Sequence, residues 1–125
     1  MCAVLRWAVL GMACTLAVAC ASLPSPPSDG RYTGELCVAQ AARPADCGPA
    51  RLTLASDVVL VQVSDMVYRL FLKGDQLDLT LMHDRVQVDA FSASHEWRGR
   101  HLRFADVARS VRYEVRFGAL QGGVQ

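Results

Sequence analysis

The sequence predicts an all-β fold, a small antiparallel meander of about eight strands. Two observations support this class. Apolar and polar residues alternate with a period of two in QLDLTLM and VRYEVRF, as in strands with one core face and one solvated face. Short turn signals separate such segments along the chain, as in consecutive hairpins. We favour a closed barrel over a two-sheet sandwich, because closure removes exposed strand edges.

The predicted strands follow one another within a domain that spans residues 31–118. In chain order they are RYTGELCVA, ARLTLA, VVLVQV, MVYRLFL, QLDLTLM, RVQVDAF, HEWRGRHLRF and VRYEVRF. The turn signals between them lie at residues 56–57, 64–65, 73–75, 83–84 and 92–94. Gly99 interrupts the seventh segment and indicates a bulge or a turn. FADVARS suits one helical turn across an end of the structure, and we expect residues 119–125 to form a flexible tail.

The alternation also predicts which side chains form the core. VVLVQV and MVYRLFL are apolar on nearly both faces. They are therefore either central strands covered on both sides or strands that lie beneath the linker or a partner. The residues that we expect to point inward are Leu77, Leu79, Leu81, Val111, Tyr113, Val115 and Phe117, with Tyr68, Leu70 and Leu72 beside them.

The first 21 residues have the pattern of a secretory signal. Arg6 supplies one positive charge, and the apolar run of about 15 residues after it is shorter than the ~20 needed to span a bilayer. Leu16-Ala17-Val18-Ala19-Cys20 resembles the lipobox of bacterial lipoproteins. The resemblance implies that residues 1–19 are a signal peptide and that Cys20 becomes a lipidated first residue. The alternatives are a tilted N-terminal membrane helix, lipidation at Cys14, and cleavage after Ala19 or Ala21 without a lipid.

This N-terminus indicates the bacterial cell envelope. Two or three acyl chains on Cys20, such as palmitate, would hold the protein permanently, whereas a single chain binds only marginally. If the organism is Gram-negative, Ala21 favours the outer membrane, with the domain facing the periplasm. Residues 20–30 form a Pro- and Ser-rich linker, and ten residues of polyproline spacer reach ~30 Å at ~3.1 Å each.

Cys37 and Cys47 are the remaining cysteines of the mature chain, since Cys2 and Cys14 leave with the signal and the lipid occupies Cys20. In an oxidising compartment we expect them to form a disulfide. Free thiols and a metal site are the alternatives, although two Cys without a nearby His make a poor zinc site.

No motif in the sequence indicates an enzyme. The serines lie outside a Gly-x-Ser-x-Gly context, and no cofactor fingerprint occurs, so we expect no catalytic residue and no cofactor. His95 and His101 would share a metal ion only if Gly99 turned the chain back, and we expect no metal site. Six Arg and three acidic residues follow residue 94, which indicates solvated strand faces or a weak basic patch. Nucleic acid is not an expected partner, because the protein lies outside the cytoplasm.

The segment FSASHEWRGR, residues 91–100, is the candidate binding surface. Its Ser and Ala residues predict a flexible tip, and Trp and Arg are frequent interface anchors. The candidate binding residues are Ser94, His95, Glu96, Trp97, Arg98 and Arg100. The alternative is that Trp97 fills one end of the barrel while Arg98 and Arg100 lie in solvent.

Two functions fit these features. The first is a lipid-anchored binding module with a protein partner in the envelope. Its outline resembles that of small periplasmic β-lipoproteins that inhibit lysozyme, an architectural likeness that transfers no site. The second is an accessory subunit of an envelope or secretion assembly, with VVLVQV and MVYRLFL partly covered by a partner. A large exposed apolar patch would favour the second function, and a closed barrel with polar loops at one end would favour the first.

Overall fold

The computed structural model describes residues 25–122, which form a single antiparallel sheet. Its strands are β1 (Gly30–Gln40), β2 (Asp46–Ala55), β3 (Val58–Val63), β4 (Met66–Lys73), β5 (Gln76–His83), β6 (Val86–Arg98), β7 (His101–Asp106) and β8 (Val111–Leu120). Each strand pairs with the next, and β8 pairs with β1, so the sheet closes into a barrel. The predicted all-β meander and its closure are therefore confirmed.

The helical content of residues 25–122 is one short 3-10 turn, Val107–Arg109. It lies within FADVARS, where a helical turn was expected, and the Asp106 carboxylate accepts a hydrogen bond from the Arg109 N–H at 3.4 Å. No helix in this part of the chain is long and apolar enough to cross a membrane. The predicted signal peptide 1–19 and the predicted lipid site Cys20 lie outside the described residues.

The connections between strands alternate between the two ends of the barrel, because consecutive strands run in opposite directions. The turns after β2, β4 and β6 share one end with the start of β1 and the finish of β8, here called the linker end. The remaining connections, including the loop after β1 and the 3-10 turn, form the loop end. The first residue of each tight turn has left-handed backbone, as such hairpins require: Ser56, Ser64, Gly74, Asp84 and Gly99.

The predicted core is confirmed, because every residue expected to point inward lies in or against the barrel interior. Six are buried: Leu70, Leu77, Leu79, Val111, Val115 and Phe117. Four more are half-buried against the core: Tyr68, Leu72, Leu81 and Tyr113. The interior is thus filled by side chains, as in other small barrels.

Aromatic residues form the interior at both ends. At the linker end, the Phe117 ring lies 5.2 Å from that of Tyr32 and 5.7 Å from that of Trp97, between centroids. Towards the loop end, Phe104 stacks on Tyr113 with centroids 4.9 Å apart, and Phe91 lies against both. Such pairs stabilise beyond the area they bury.

β6 differs from the sequence-based expectation. The turn predicted at residues 92–94 is wrong, since one continuous strand runs from Val86 to Arg98 and the chain reverses at residues 99–100. Ser92 and Ala93 pair with Asp78 and Leu77 of β5, so ladder pairing overrides the turn preference of small polar residues. Residues 91–98 are accordingly part of a strand, so the expectation of a flexible tip in this segment is wrong.

The last residues before β1 pack onto the linker end. Pro27 is buried, and the Ser28 carbonyl oxygen accepts a hydrogen bond from the Tyr32 hydroxyl at 2.5 Å. Both carboxylate oxygens of Asp29 lie 3.1 Å from the Ser56 N–H, which donates to them. The chain therefore becomes part of the folded body at about Pro27, before the first strand residue.

The predicted disulfide between Cys37 and Cys47 is present, with the two Cα atoms 3.9 Å apart. The two residues are direct neighbours across the β1–β2 ladder. The bond therefore joins the two strands of this hairpin close to the loop end, and no thiol remains on either residue.

Candidate functional site

A groove of about 630 Å³ crosses the outside of the barrel over β6, β7, β8 and β1. The side of the barrel that these four strands form is here called the groove wall. The strand register places its lining in rows. Ala39, Arg112 and Ala105 are direct neighbours across β1, β8 and β7. Towards the linker end, the next row continues through Cys37, Glu114, Arg103 and Glu96.

Small side chains form the floor of this groove. Ala39 and Ala105 take outward positions in β1 and β7 on either side of the long side chain of Arg112, and Ala45 approaches from the loop after β1. Short side chains between long ones leave a hollow in an otherwise convex barrel wall. Ala39 and Cys37 are almost fully buried although they point outward, at 5% and 3% exposure.

Glu114 is the centre of a charge cluster on the groove wall. Its carboxylate oxygens accept hydrogen bonds from Arg103 Nε and Arg116 Nε, each at 3.0 Å, and His101 Nδ1 lies 3.3 Å away. Burial alone would raise the pKa of Glu114, but the hydrogen bonds from the two guanidinium groups outweigh burial and hold this pKa below its ordinary value. The Glu114 charge is therefore already neutralised by neighbouring cations.

Arg112 is the cation of the groove without a carboxylate partner among residues 25–122. Its Nη2 donates to the Ala41 carbonyl oxygen at 3.2 Å, which orients the guanidinium and leaves its charge uncompensated. The side chain is exposed. An anionic group bound in the groove would meet Arg112 first, because a guanidinium can hydrogen-bond a carboxylate through two N–H groups.

The six predicted binding residues separate into four environments. Ser94, His95 and Glu96 line the groove. Trp97 pairs with Leu102 and packs inside the barrel against Phe117, so its side chain helps to fill the linker end. Arg98 lies in solvent beside Glu96 at 3.6 Å. The Arg100 guanidinium lies over the Tyr32 ring and donates to the Gly118 carbonyl oxygen at 2.6 Å.

The two histidines considered as a metal pair lie on opposite faces of the sheet. Gly99 does reverse the chain, but His95 pairs with the inward residue Phe104, whereas His101 pairs with the outward Arg98. Within residues 25–122, a cluster of three candidate ligand atoms occurs at Glu35, Cys37 and Cys47. The disulfide uses both of those sulfur atoms, so this cluster offers a single carboxylate.

The groove continues into a seam of the barrel. The β6–β7 ladder stops at the pair His95–Phe104, and beyond it β6 and β7 pair only with β5 and β8, respectively. The inward residues Phe104 and Tyr113 reach the groove lining here. The wall is thus incomplete between residues 90–94 of β6 and the end of β7.

An ion pair spans this seam at the loop end. Arg109 Nη1 lies 2.5 Å from Asp89 Oδ2 on β6 and 3.3 Å from Asp106 Oδ2 at the end of β7. The hydrogen bond from Arg109 holds the pKa of Asp89 below its ordinary value. Asp106 is itself 5% exposed, and its Oδ2 makes no hydrogen bond within the described chain. Arg109 therefore links β6 to the end of β7, where no ladder pairs connect the two strands.

The opposite side of the barrel, β2 to β5, is here called the regular wall. In it β3, β4 and β5 pair along nearly their full length, and β2 pairs with β3 from Arg51 to Ala55. Four outward residues of β3 and β4 are apolar and are here called the apolar row: Val58, Leu60, Val67 and Phe71, of which Phe71 is 45% exposed. Gln62 and Arg69 also point outward, opposite Val67 and Leu60. Within residues 25–122 this row keeps partial contact with solvent, so the expectation that VVLVQV and MVYRLFL are covered on both sides is wrong for the described part of the chain.

Sequence reasoning missed the cross-strand part of the groove. Arg112 and Glu114 were recognised as outward residues of VRYEVRF, but nothing local shows that Ala39 lies beside Arg112, 73 positions earlier in the chain. The usable signal was the combination of small outward residues in neighbouring strands.

Comparisons with known proteins found no matching family model, no matching curated protein and no matching solved structure.

Proposed function

We propose that this protein is a lipid-anchored binding module of the bacterial envelope, without catalytic activity, that holds a protein partner in the groove. The observation that carries the proposal is the groove itself, with an uncompensated Arg112 above a floor of small side chains. A concave surface with a few placed polar groups is the usual form of a recognition site. Inhibition of a hydrolase is one form that such binding would take.

The barrel end from which the linker leaves supports an orientation for this module. Pro27 packs on the linker end, so six residues, 21–26, separate the proposed lipid site Cys20 from the folded body. The seven steps from one Cα atom to the next between Cys20 and Pro27 span at most roughly 25 Å at ~3.6 Å each. A lipid on Cys20, in the outer membrane as proposed, would keep the linker end towards the bilayer. The loop end and the adjacent part of the groove would then face the periplasm.

The second candidate function is an accessory subunit of an envelope assembly. The apolar row on β3 and β4 supports it, because side chains such as Phe71 would become buried under a partner subunit. This role uses the regular wall, whereas the binding module uses the groove wall. The two candidates can therefore be separated by substitutions on opposite sides of the barrel.

The test is affinity capture of the intact lipoprotein from solubilised envelopes, followed by mass spectrometry. Ala105→Trp fills the groove from an outward position, and Phe71→Thr removes the exposed aromatic ring of the regular wall. Loss of the partner with Ala105→Trp alone supports the binding module. Loss with Phe71→Thr alone supports the accessory subunit. Full capture by both variants contradicts both surfaces, provided that each variant keeps the wild-type melting temperature.

The anchor needs a separate experiment. Cys20→Ser should abolish incorporation of radiolabelled palmitate and should leave precursor or soluble protein. Labelling at the wild-type level would contradict lipidation at Cys20 and would remove the orientation argument. The capture experiment would keep its meaning in that case.

A further inference from the structure

β6 is paired on only one side at a time along its length. It pairs with β5 from Val86 to Ser94, but with β7 only from His95 to Arg98. Residues 90–94 therefore form a strand edge in a barrel where β3, β4 and β5 pair on both sides along nearly their full length, and where β2 is unpaired on its β3 side at residues 46–50. Such an edge presents backbone N–H and C=O groups that another extended chain can pair with.

The direction of the backbone groups along this edge follows from one hydrogen bond. The His95 N–H donates to the Asp75 carbonyl oxygen at 2.9 Å, on the β5 side. Successive residues of a strand direct their N–H and C=O groups alternately to the two sides. Ser94 and Ser92 therefore direct theirs into the seam.

The loop end of this edge is already capped. The Ala90 N–H, which belongs to the same alternating series, donates to Asp89 Oδ1 at 2.9 Å, and Asp89 in turn is held by Arg109. The open stretch lies between this cap and the pair His95–Phe104. Its five residues, 90–94, measure about 16 Å at ~3.3 Å each, enough for a short added strand.

The positive charge beside this edge favours an acidic extended segment over a basic one. Ser94 and Arg112 line the same groove, and Arg112 has no carboxylate partner in the described chain. Arg103, the other groove arginine, is already paired with Glu114. A segment that brought a carboxylate to Arg112 would gain a charge-assisted contact, whereas a basic segment would be repelled.

We infer that an extended, acidic segment of a partner protein adds to β6 at Ser92 and Ser94 and places a carboxylate on Arg112. The inference rests on the proposed binding function and specifies the form of its ligand. Strand addition requires a polypeptide backbone, which distinguishes this ligand from a lipid or a polysaccharide. Backbone pairing would supply affinity, and the Arg112 contact would supply selectivity for acidic segments.

The first experiment places a photo-crosslinking amino acid at position 94 of the full-length lipoprotein in cells. The matched control is position 62, because Gln62 is exposed on β3, where the ladder is complete on both sides. We expect a crosslink from position 94 to a partner segment rich in Asp or Glu, and none from position 62. A crosslink from position 94 to a glycan, to a basic segment or to a second copy of this chain would overturn the inference.

The second experiment measures binding of the crosslinked segment as a synthetic peptide to the purified lipoprotein. Arg112→Glu should weaken binding by about tenfold or more, since it replaces attraction with repulsion. Arg69→Glu makes the same charge change at an exposed position of the regular wall and should alter binding less than about twofold. Equal effects of the two variants would contradict the role of Arg112, and melting curves check that both variants fold.

N-methylation of the peptide tests the backbone pairing directly. Methyl groups on alternate residues block one edge of an extended chain, so one of the two alternating sets should abolish binding and the other should be tolerated. Equal tolerance of both sets would overturn strand addition. Absence of any crosslink at position 94 also overturns it. If Ala105→Trp still removes the captured partner in that case, the binding module stands and only this mode of binding fails.

Discussion

The two sides of this barrel differ in how completely their neighbouring strands pair. In the regular wall, β3 and β4 pair along their whole length with short turns between them, and the outer surface is partly apolar. In the groove wall, β6 and β7 share only four pairs, a bulge interrupts the β5–β6 register, and an ion pair spans the remaining gap. The comparison shows that backbone pairing is nearly continuous from β3 to β5 and stops along β6, beside the groove.

The largest effect is expected from a cavity behind the regular wall. Leu70 on β4 is fully buried, at 0% exposure. Leu70→Ala should lower the free energy of unfolding by about 2–5 kcal/mol, because it removes apolar contacts and leaves a cavity that the closed ladder cannot fill by collapse. Urea unfolding followed by circular dichroism measures this loss. A loss below about 1 kcal/mol would show that β4 adjusts more easily than its complete pairing indicates.

The disulfide should have the next largest effect, at the edge of the groove wall. Replacing both Cys37 and Cys47 by Ala should cost about 2.5–3 kcal/mol, since the unfolded chain regains the entropy of a short loop. The double variant is compared with the wild type under non-reducing conditions. An unchanged urea midpoint would mean that β1–β2 pairing already holds the hairpin and that the bond adds nothing.

Removal of the seam ion pair should have a smaller effect. Asp89→Asn should cost about 0.5–1 kcal/mol at neutral pH, because Arg109 and Asp89 are both partly exposed to water. The Arg109 hydrogen bond depresses the pKa of Asp89, so its stabilisation is complete above the unfolded-state pKa and is lost as pH falls through the lower folded pKa. Asp89→Asn should therefore reduce the acid destabilisation measured below about pH 4.

A matched control for Asp89→Asn lies in the turn of the regular wall. Asp57→Asn makes the same change at an exposed residue with no ion pair among the described ones. It should leave the acid limb of the stability curve unchanged. If both variants shift that limb equally, the seam ion pair does not account for the pH dependence.

The smallest effect concerns the loop end of the regular wall. His83 Nε2 lies 2.9 Å from Asp65 Oδ2, and the hydrogen bond to this carboxylate raises the pKa of His83. The contact therefore stabilises the fold fully below the unfolded-state pKa of His, and this stabilisation is lost as pH rises through the folded pKa. NMR titration should show the pKa of His83 above its ordinary value, and Asp65→Asn should return it towards about 6.5. An unchanged titration in Asp65→Asn would contradict the contact.

Sequence reasoning predicted the regular wall better than the groove wall. Leu77 and Leu79 alternate with polar neighbours, and the Lys73-Gly74-Asp75 turn is where it was expected, because both features depend on local residue order. The expected turn at residues 92–94 failed because Ser92 and Ala93 are held by β5, a contact that local preference does not contain. Trp97 shows the same limit: its inward position follows from the pairing with Leu102 after the turn at Gly99.

The sequence by itself determined the strand alternation, the core residues and the pairing of Cys37 with Cys47, because period-two burial and a cysteine count are local or compositional properties. Only the tertiary structure decided that Ala39, Arg112 and Ala105 lie in one row and that β6 keeps an open edge. Those features depend on the register between strands and on where a ladder stops. Register is set jointly by all the pairings that close the barrel, so no single segment of the chain contains it.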